Sequence, residues 1–305
     1  MQIYLPIAEL AVSAETIFFL SGFVGVLSGI FGLGGGFLTT PFLIFLGIPP
    51  PIAVGTQASQ LVASSVAGSM GHFRRGNVDL KMGMVMMSGG LVGSFVGIFI
   101  FKFLQYLGQI DIAISLLYIV LLGGIGGLML LESTASFLFK KNGNIKKTFN
   151  TSQMSPFLHS LPYKMRFPRS RLFISAFVPA GIGFIGGVLA SVLGIGGGFL
   201  IVPAMIYLLG MPPLLVAGTA LFQIIFTTAS ATVMHATFNN TVDIVLALIL
   251  ILGSVVGTQI GVIFARFIRG QQARVILAMI ILGTCLMLSI DLFVPPTDVF
   301  STVME

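Results

Sequence analysis

Hydrophobic residues fall into ten runs along the chain, separated by short polar stretches. The runs lie near residues 12–31, 36–47, 52–72, 82–101, 112–131, 172–193, 199–210, 214–235, 243–265 and 275–294. They are apolar on all sides and rich in Gly, Leu, Ile and Phe, as lipid-embedded helices are, whereas the strands of a membrane barrel alternate in polarity. The pattern predicts an all-α fold built as a polytopic helical bundle.

Two of the runs, 36–47 and 199–210, are only about a dozen residues long, whereas a membrane-spanning helix needs about 20 residues. Three consecutive glycines stand at or just before the start of each one, Gly34–Gly36 and Gly196–Gly198. Because glycine weakens a helix by about 1 kcal/mol relative to alanine, the triplets predict interrupted or re-entrant helices. Close packing between helices is the alternative explanation.

The composition indicates that the surroundings of the chain are the lipid bilayer. Hydrophobic residues make up 56% of it and charged residues 8%, against roughly 25% charged residues in soluble domains. The net charge of +6 comes from basic residues in loops, where membrane orientation accounts for them, so we expect no nucleic-acid partner. One cysteine and three histidines form no ligand pattern, so we predict no metal site and no cofactor.

The two halves of the chain repeat each other. The stretch "GLGGGFLTTPFLIFLGIPP" from Gly32 returns as "GIGGGFLIVPAMIYLLGMPP" from Gly194, with the glycine triplets 162 residues apart. Later features recur in the same order, among them a histidine, a Val-Asp pair and a Gly-x-x-x-Gly motif. The sequence therefore predicts a first transmembrane repeat over 1–131, a linker over 132–171 and a second repeat over 172–305.

The basic residues predict how the halves are oriented. Eight of the fifteen Lys and Arg lie in the linker, and three more, Arg74, Arg75 and Lys81, follow the third run. The matching loop of the second half, "ATFNNTVD", has none, and its basic residues come one loop later. Because basic loops face the cytoplasm, we expect a cytoplasmic linker, repeats of inverted topology and both termini outside.

The repeated "GLGGGFLTTP" and "GIGGGFLIVP" motifs, each followed by Pro-Pro and "GT", and the "HFRRGNVD" loop are similar to those of the TauE/SafE sulfite exporter family. The resemblance covers nearly the whole chain except the linker. It implies a protein of the bacterial cytoplasmic (inner) membrane that transports small sulfur-containing anions such as sulfite, sulfonates or related organosulfur compounds. The second half departs from the first in having "TFNNT" where the first has "RRG", and "TALFQ" where the first has "TQASQ".

Inverted repeats with interrupted helices place a transporter's substrate near the membrane midplane, between the halves. A helix that begins there points free N–H groups and a positive dipole end at its surroundings, which suits an anion. Neutral polar side chains on the third and eighth runs would add donors. The predicted substrate-binding residues are Gly34, Gly35, Gly36, Thr56, Gln60, Gly196, Gly197, Gly198, Thr219 and Gln223.

His72 and His235 close the third and eighth runs. Imidazole titrates near neutral pH, so a gating or proton role is one interpretation; a cap at a helix end is the other. Deep within the runs there is no Asp or Glu, so a carboxylate proton relay is not predicted. Glycines that recur every four residues, Gly89, Gly93, Gly97 and Gly253, Gly257, Gly261, predict close helix packing without a substrate role.

Three function classes follow from these features. A secondary transporter of a small anion accounts for the inverted repeat, the neutral polar residues and the helix ends together. An anion channel would share the architecture. An intramembrane enzyme would need a nucleophile with its base, paired acids or a metal cluster, and the sequence indicates none of these catalytic groups, so we expect no enzyme activity. The sequence leaves the oligomeric state open.

Overall fold

The structure, a computed structural model, describes residues 2–140, 162–264 and 270–293. Parts of the predicted linker (141–161) and of the second repeat (265–269 and 294–305) lie outside the described residues. The first half contains β1 Gln2–Leu5, β2 Leu10–Ser13, α1 Ala14–Phe31, α2 Gly36–Phe45, α3 Pro50–Arg74, α4 Leu80–Tyr106 and α5 Ile110–Lys140. The second half contains β3 Lys164–Phe167, β4 Leu172–Ser175, α6 Phe177–Leu193, α7 Gly198–Tyr207, α8 Pro213–Met234, a π-helical turn His235–Asn239, α9 Ile244–Phe264 and α10 Gly270–Phe293.

The predicted all-α membrane fold is confirmed. Within the described ranges, five helical stretches are long and apolar enough to cross a membrane: Ala14–Phe31, Leu80–Tyr106, Ile110–Leu131, Leu215–Asn239 and Ile244–Phe264. Helices α2 and α7 have 10 residues each, and at 1.5 Å per residue each is about 15 Å long, half of a hydrocarbon core of about 30 Å. Both are therefore half-helices.

The breaks before α2 and α7 begin at glycines that precede the triplets. Gly32 has a φ of 71° and its N–H donates to Ser28 O, which ends α1. Gly194 has a φ of 69° and its N–H donates to Ala190 O, which ends α6. Only glycine adopts this left-handed conformation without steric cost, so a single residue stops each helix inside the bundle. The triplets then turn the chain into the half-helices.

Helices of one half pack against helices of the other in a symmetric pattern. α1 packs along α9 and α4 along α6, while α3 packs on its counterpart α8 and α5 on its counterpart α10. The His72 end of α3 lies beside Gly218 near the start of α8. Thr56, near the start of α3, donates to Thr241 O, beyond the end of α8. The equivalent helices α3 and α8 thus run antiparallel, which is the arrangement expected of an inverted repeat.

The glycines at four-residue spacing form close contacts between helices, as predicted. A Cβ on Gly89, Gly93 or Gly97 of α4 would collide with backbone carbonyl oxygens of α6. A Cβ on Gly257 of α9 would collide with Gly22 O of α1, and one on Gly261 with Val26 O. The prediction that these residues serve packing is confirmed, because the backbones touch where the side chains are missing.

One β-hairpin precedes the first helix of each half, and neither hairpin was predicted. In the N-terminal hairpin (β1 and β2) Gln2 pairs with Ser13, and in the central hairpin (β3 and β4) Lys164 pairs with Ser175. These pairs are 162 residues apart, the same spacing as the glycine triplets. The central hairpin therefore lies across the predicted boundary between the linker (132–171) and the second repeat (172–305).

Each hairpin docks on a buried carboxylate of the opposite half. Asp79 Oδ1 accepts from Met82 N–H and so caps α4, while its Oδ2 accepts from the N–H and the hydroxyl of Ser170 in the central hairpin. Asp243 Oδ1 accepts from Leu246 N–H at the start of α9, while its Oδ2 accepts from Ile7 N–H in the N-terminal hairpin at 3.0 Å. Because α3 and α8 run antiparallel, the two docked hairpins lie at opposite ends of the bundle.

Candidate functional site

The N-terminal ends of α2 and α7 meet at the contact between the halves. The rings of Phe37 and Phe199, one residue into each half-helix, stack with centroids 5.1 Å apart. A Cβ on Gly36 would lie 2.6 Å from Gly194 O, and one on Gly198 would collide with Leu33 O. The glycine triplets thus let each helix end approach the backbone of the other half.

Both helix ends have N–H groups that the helix itself does not use. The first intrahelical bonds of α2 are donated by Leu38 and Thr39 to Gly35 O, at 3.2 and 3.4 Å. In α7, Leu200 and Ile201 donate to Gly197 O, at 3.1 and 2.9 Å. Among the residues that the structure describes, the N–H groups that precede these positions have no acceptor and no side chain caps either end. Two positive dipole ends therefore lie side by side, an arrangement that an anion would stabilise.

Leu61 and Ile224 fill the space beside the triplets. Leu61 Cδ1 lies 2.8 Å from the position of a Cβ on Gly36 and 3.0 Å from one on Gly196. Ile224 of α8 lies 3.2 Å from the same position on Gly196. The two side chains occupy matching positions in the repeat and were not predicted as site residues. They make the wall of the site apolar next to the glycine backbone.

Gln60 and Gln223 are fully buried, and in the ranges described their amide oxygens and nitrogens have no hydrogen-bond partner. Gln223 Nε2 lies 2.7 Å from the position of a Cβ on Gly90, so this amide faces α4. Buried side-chain amides are normally hydrogen-bonded, and an unpartnered one costs about 1 to 3 kcal/mol. Such groups are retained where a ligand or water supplies the missing partner. Gln57 shares both properties and is a residue that the sequence analysis did not select.

Thr56 and Thr219 hold loops in place rather than facing the glycines with free hydroxyls. Thr56 Oγ1 accepts from Asp243 N–H at 3.0 Å and donates to Thr241 O. Thr219 Oγ1 accepts from Asp79 N–H at 3.0 Å and donates to Leu215 O. Each hydroxyl proton is therefore donated to a backbone carbonyl. The two threonines link the halves at the same ends of the bundle as the docked hairpins.

The two histidines have different surroundings. His235 is buried; its Nε2 contacts Ser191 O at 2.8 Å, its Nδ1 contacts Asn239 Nδ2 at 3.2 Å, and its ring packs edge-on against Phe101. This arrangement favours a cap over a proton carrier for His235. His72 is also buried, but within the described residues neither of its ring nitrogens has a hydrogen-bond partner. The repeat is thus asymmetric at its histidines.

Comparison with known proteins points to one family of membrane transporters. The family model described as sulfite exporter TauE/SafE matches residues 17–288. The chain is 30% identical to the probable membrane transporter protein YjnA of Bacillus subtilis, over 88% of this chain and 96% of that protein. It is 26% identical to the probable membrane transporter protein YunE of the same organism, over 85% and 90%.

A third relative is archaeal. The probable membrane transporter protein MJ0441 of Methanocaldococcus jannaschii is 25% identical over 85% of this chain and 88% of its own length. No solved structure matches the chain. The family match covers most of the sequence, and the described helices include five long enough and apolar enough to cross a membrane. The chain therefore belongs to the TauE/SafE family and is a multi-pass membrane transporter.

Proposed function

We propose that this chain is a secondary transporter of a small sulfur-containing anion, such as sulfite, a sulfonate or a related organosulfur compound, in the bacterial cytoplasmic membrane. The description of the matched family supports the class of cargo. The observation that carries the proposal is the meeting of two half-helix N-termini within the bundle, beside α3 and α8, which carry buried glutamine amides without a hydrogen-bond partner in the described residues. The transporter moves its cargo unchanged and needs no cofactor.

Substrate binding then depends on neutral donors. The free N–H groups of Gly36 and Gly198 and the amides of Gln60 and Gln223 replace the hydration shell of the anion. A hydrogen bond to a charged partner contributes about 1.5 to 3 kcal/mol, so a few of them hold the anion and still permit its release.

An anion channel is the second candidate, because the same architecture serves a channel. The two are distinguished by flux measured against substrate concentration in proteoliposomes. A saturable flux indicates a carrier, and a flux that rises in proportion to concentration indicates a channel. The anions tested are sulfite, sulfate, thiosulfate, taurine and sulfoacetate. Each flux is measured with and without a proton gradient, because the sequence predicts no carboxylate relay that would couple transport to protons.

The role of the glutamines is tested by Gln60→Leu and Gln223→Leu. Leucine keeps most of the volume but removes the donors, so we expect each change to raise the apparent KM about tenfold, equivalent to about 1.4 kcal/mol. The melting temperature of the substrate-free protein is expected to stay the same or rise, because an unpartnered amide is removed. Gln105→Leu, at an exposed position, is the matched control. Unchanged KM values in both variants would place the site elsewhere.

The inverted topology is tested by cysteine labelling. Cys285 is the only cysteine of the chain, so Cys285→Ser provides a background without thiols. Arg74→Cys and Asn240→Cys then place single thiols at exposed positions in matching loops. We expect an impermeant maleimide to label Asn240→Cys in intact cells and Arg74→Cys only after permeabilisation. Equal labelling from outside would contradict the inverted repeat.

A further inference from the structure

The inner faces of the two hairpins are alike. Leu5 and Val12 of the N-terminal hairpin are buried in an apolar cluster, and so are their counterparts Phe167 and Ile174 of the central hairpin. Side chains alternate between the two faces of a strand, so the strand residues next to these four point away from the bundle. The outer faces can therefore differ without changing how the hairpins dock.

The outer faces of the hairpins carry opposite charge. The exposed residues at three matching positions are Gln2, Tyr4 and Glu9 in the N-terminal hairpin and Lys164, Arg166 and Arg171 in the central one. Glu9 and Arg171 have the same backbone φ of 53°, so the charge changes sign at an equivalent point of the turn. One hairpin thus presents a negative charge at its end of the bundle, and the other presents three positive charges.

The charge on the central hairpin is not balanced within the hairpin. The sequence has no Asp or Glu between residues 133 and 242, a stretch that includes both of its strands. Asp79, the carboxylate on which the hairpin docks, is buried and accepts from Met82 and Ser170. Exposed cations in such a cluster attract a surface that carries phosphate groups.

Exposed aromatic rings accompany these cations at the level where a spanning helix enters the membrane. Asp79, which holds the hairpin, is the N-cap of α4, a helix long and apolar enough to cross the membrane. The Arg166 guanidinium lies 5.8 Å from the centroid of the Phe173 ring, and the rings of Tyr163 and Phe177 pack edge to face with centroids 5.7 Å apart. Cations beside exposed rings are typical of segments that lie in the headgroup layer.

We infer that the outer face of the central hairpin binds the headgroups of anionic phospholipids in the leaflet at its end of the bundle. The phosphate groups bond to Lys164, Arg166 and Arg171, and the rings of Tyr163 and Phe173 contact the adjoining acyl chains. Basic loops also orient a chain during insertion, but that role ends once the protein has folded in the membrane. A lipid site acts on the folded protein, whatever the cargo of the transporter is.

The test is the melting temperature of the purified chain in a neutral detergent, with phosphatidylglycerol or phosphatidylcholine of the same acyl chains added. Phosphatidylglycerol at about a hundred times its Kd is expected to raise the melting temperature by about 5 °C more than phosphatidylcholine does. The difference is expected to shrink at high salt, because exposed charges are screened. It is expected to vanish when Lys164→Gln, Arg166→Gln and Arg171→Gln are combined. Equal shifts with the two lipids in the native protein would overturn the inference.

Lys102→Gln is the matched control for Arg166→Gln. Lys102 is exposed near the other end of α4, and its Nζ lies 6.0 Å from the centroid of the Phe238 ring, much as Arg166 lies over Phe173. Each change removes one cation that lies over an aromatic ring. We expect the phosphatidylglycerol shift to be kept in Lys102→Gln and reduced in Arg166→Gln. The same reduction in both variants would mean that the lipid responds to net charge alone, and the hairpin site would be refuted.

Two further measurements separate lipid binding from other causes. Glycerol phosphate carries the phosphate without acyl chains and is expected to leave the melting temperature unchanged; a shift as large as that with phosphatidylglycerol would indicate a site for a soluble anion instead. The combined variant is expected to melt at the native temperature in phosphatidylcholine, because the replaced side chains are exposed. If the combined variant does not fold, the comparison of Arg166→Gln with Lys102→Gln decides the matter. No transport is measured, so the result is independent of the proposed function.

Discussion

Gly198→Ala is expected to abolish measurable transport and to lower the melting temperature of the purified protein. The new Cβ would collide with Leu33 O and lie 2.9 Å from the carbonyl carbon of the same residue, and both are backbone atoms that no rotamer change can move. Overpacking of this kind costs about 1 to 3 kcal/mol and sometimes more. The ends of α2 and α7 would separate, and the facing N–H groups would no longer converge on one anion.

The control for this prediction is Gly181→Ala. Gly181 lies within α6, and a Cβ there would meet nothing within 4 Å. Its melting temperature is expected to stay the same or rise slightly, since alanine favours the helix. Gly36→Ala, whose Cβ would lie 2.6 Å from Gly194 O, should resemble Gly198→Ala. Native transport rates in Gly198→Ala would mean that the contact of the helix ends is dispensable.

Asp79→Ala is expected to lower the stability of the folded protein by about 3 to 7 kcal/mol. The change removes the cap of α4, which contributes about 1 kcal/mol, and leaves the N–H and the hydroxyl of Ser170 without their acceptor, at about 1 to 3 kcal/mol for a buried group. Thermal unfolding in detergent measures the effect. Asp243→Ala should have a smaller effect, because its hairpin donates through one N–H of Ile7.

Asp111→Ala is the control variant for Asp79→Ala. Asp111 lies in the first turn of α5 and is exposed, so its loss is expected to change the melting temperature little. If Asp79→Ala and Asp111→Ala unfold at the same temperature, the docked central hairpin contributes nothing to stability. Asp79 has a structural use and no part in the proposed anion site, so the expected effect of Asp79→Ala is on stability and not on substrate binding.

The helices could be predicted closely because lipid requires long apolar runs, and this sequence interrupts them with few polar residues. The half-helices followed from run length and from the glycine triplets. The residues that end the preceding helices, Gly32 and Gly194, were not singled out because the triplets beside them dominate the pattern. Only the backbone angles identify the stop, since any of the clustered glycines could have adopted a positive φ.

The hairpins were not predicted because their strands have four residues each and lack a strong alternation of polarity. The repeat contained a signal all the same. "QIYLPIAELAVS" and "KMRFPRSRLFIS" align without gaps and share the proline of the turn. Extending the comparison of the halves into the polar linker would have found them, although hydropathy alone could not.

Within the candidate site, symmetry guided the sequence analysis and also limited it. Gln60 and Gln223 were found because both halves carry the residue. Gln57 was passed over because its counterpart is Ala220, and Leu61 and Ile224 could not be distinguished from other apolar residues of an apolar helix. Thr56 and Thr219 occupy matching positions for a different reason, since both bond to the loops that precede α4 and α9.

The docked hairpins impose an order on biosynthesis. Ile7 and Asp243 are separated by 236 residues, and at 5 to 20 residues per second the ribosome needs roughly 12 to 47 s to make that length. Ser170 follows Asp79 by only 91 residues, which takes roughly 5 to 18 s. The central hairpin can therefore dock on a nascent chain while the N-terminal hairpin still waits for α9. During that interval the N-terminal hairpin has no carboxylate of the second half on which to dock.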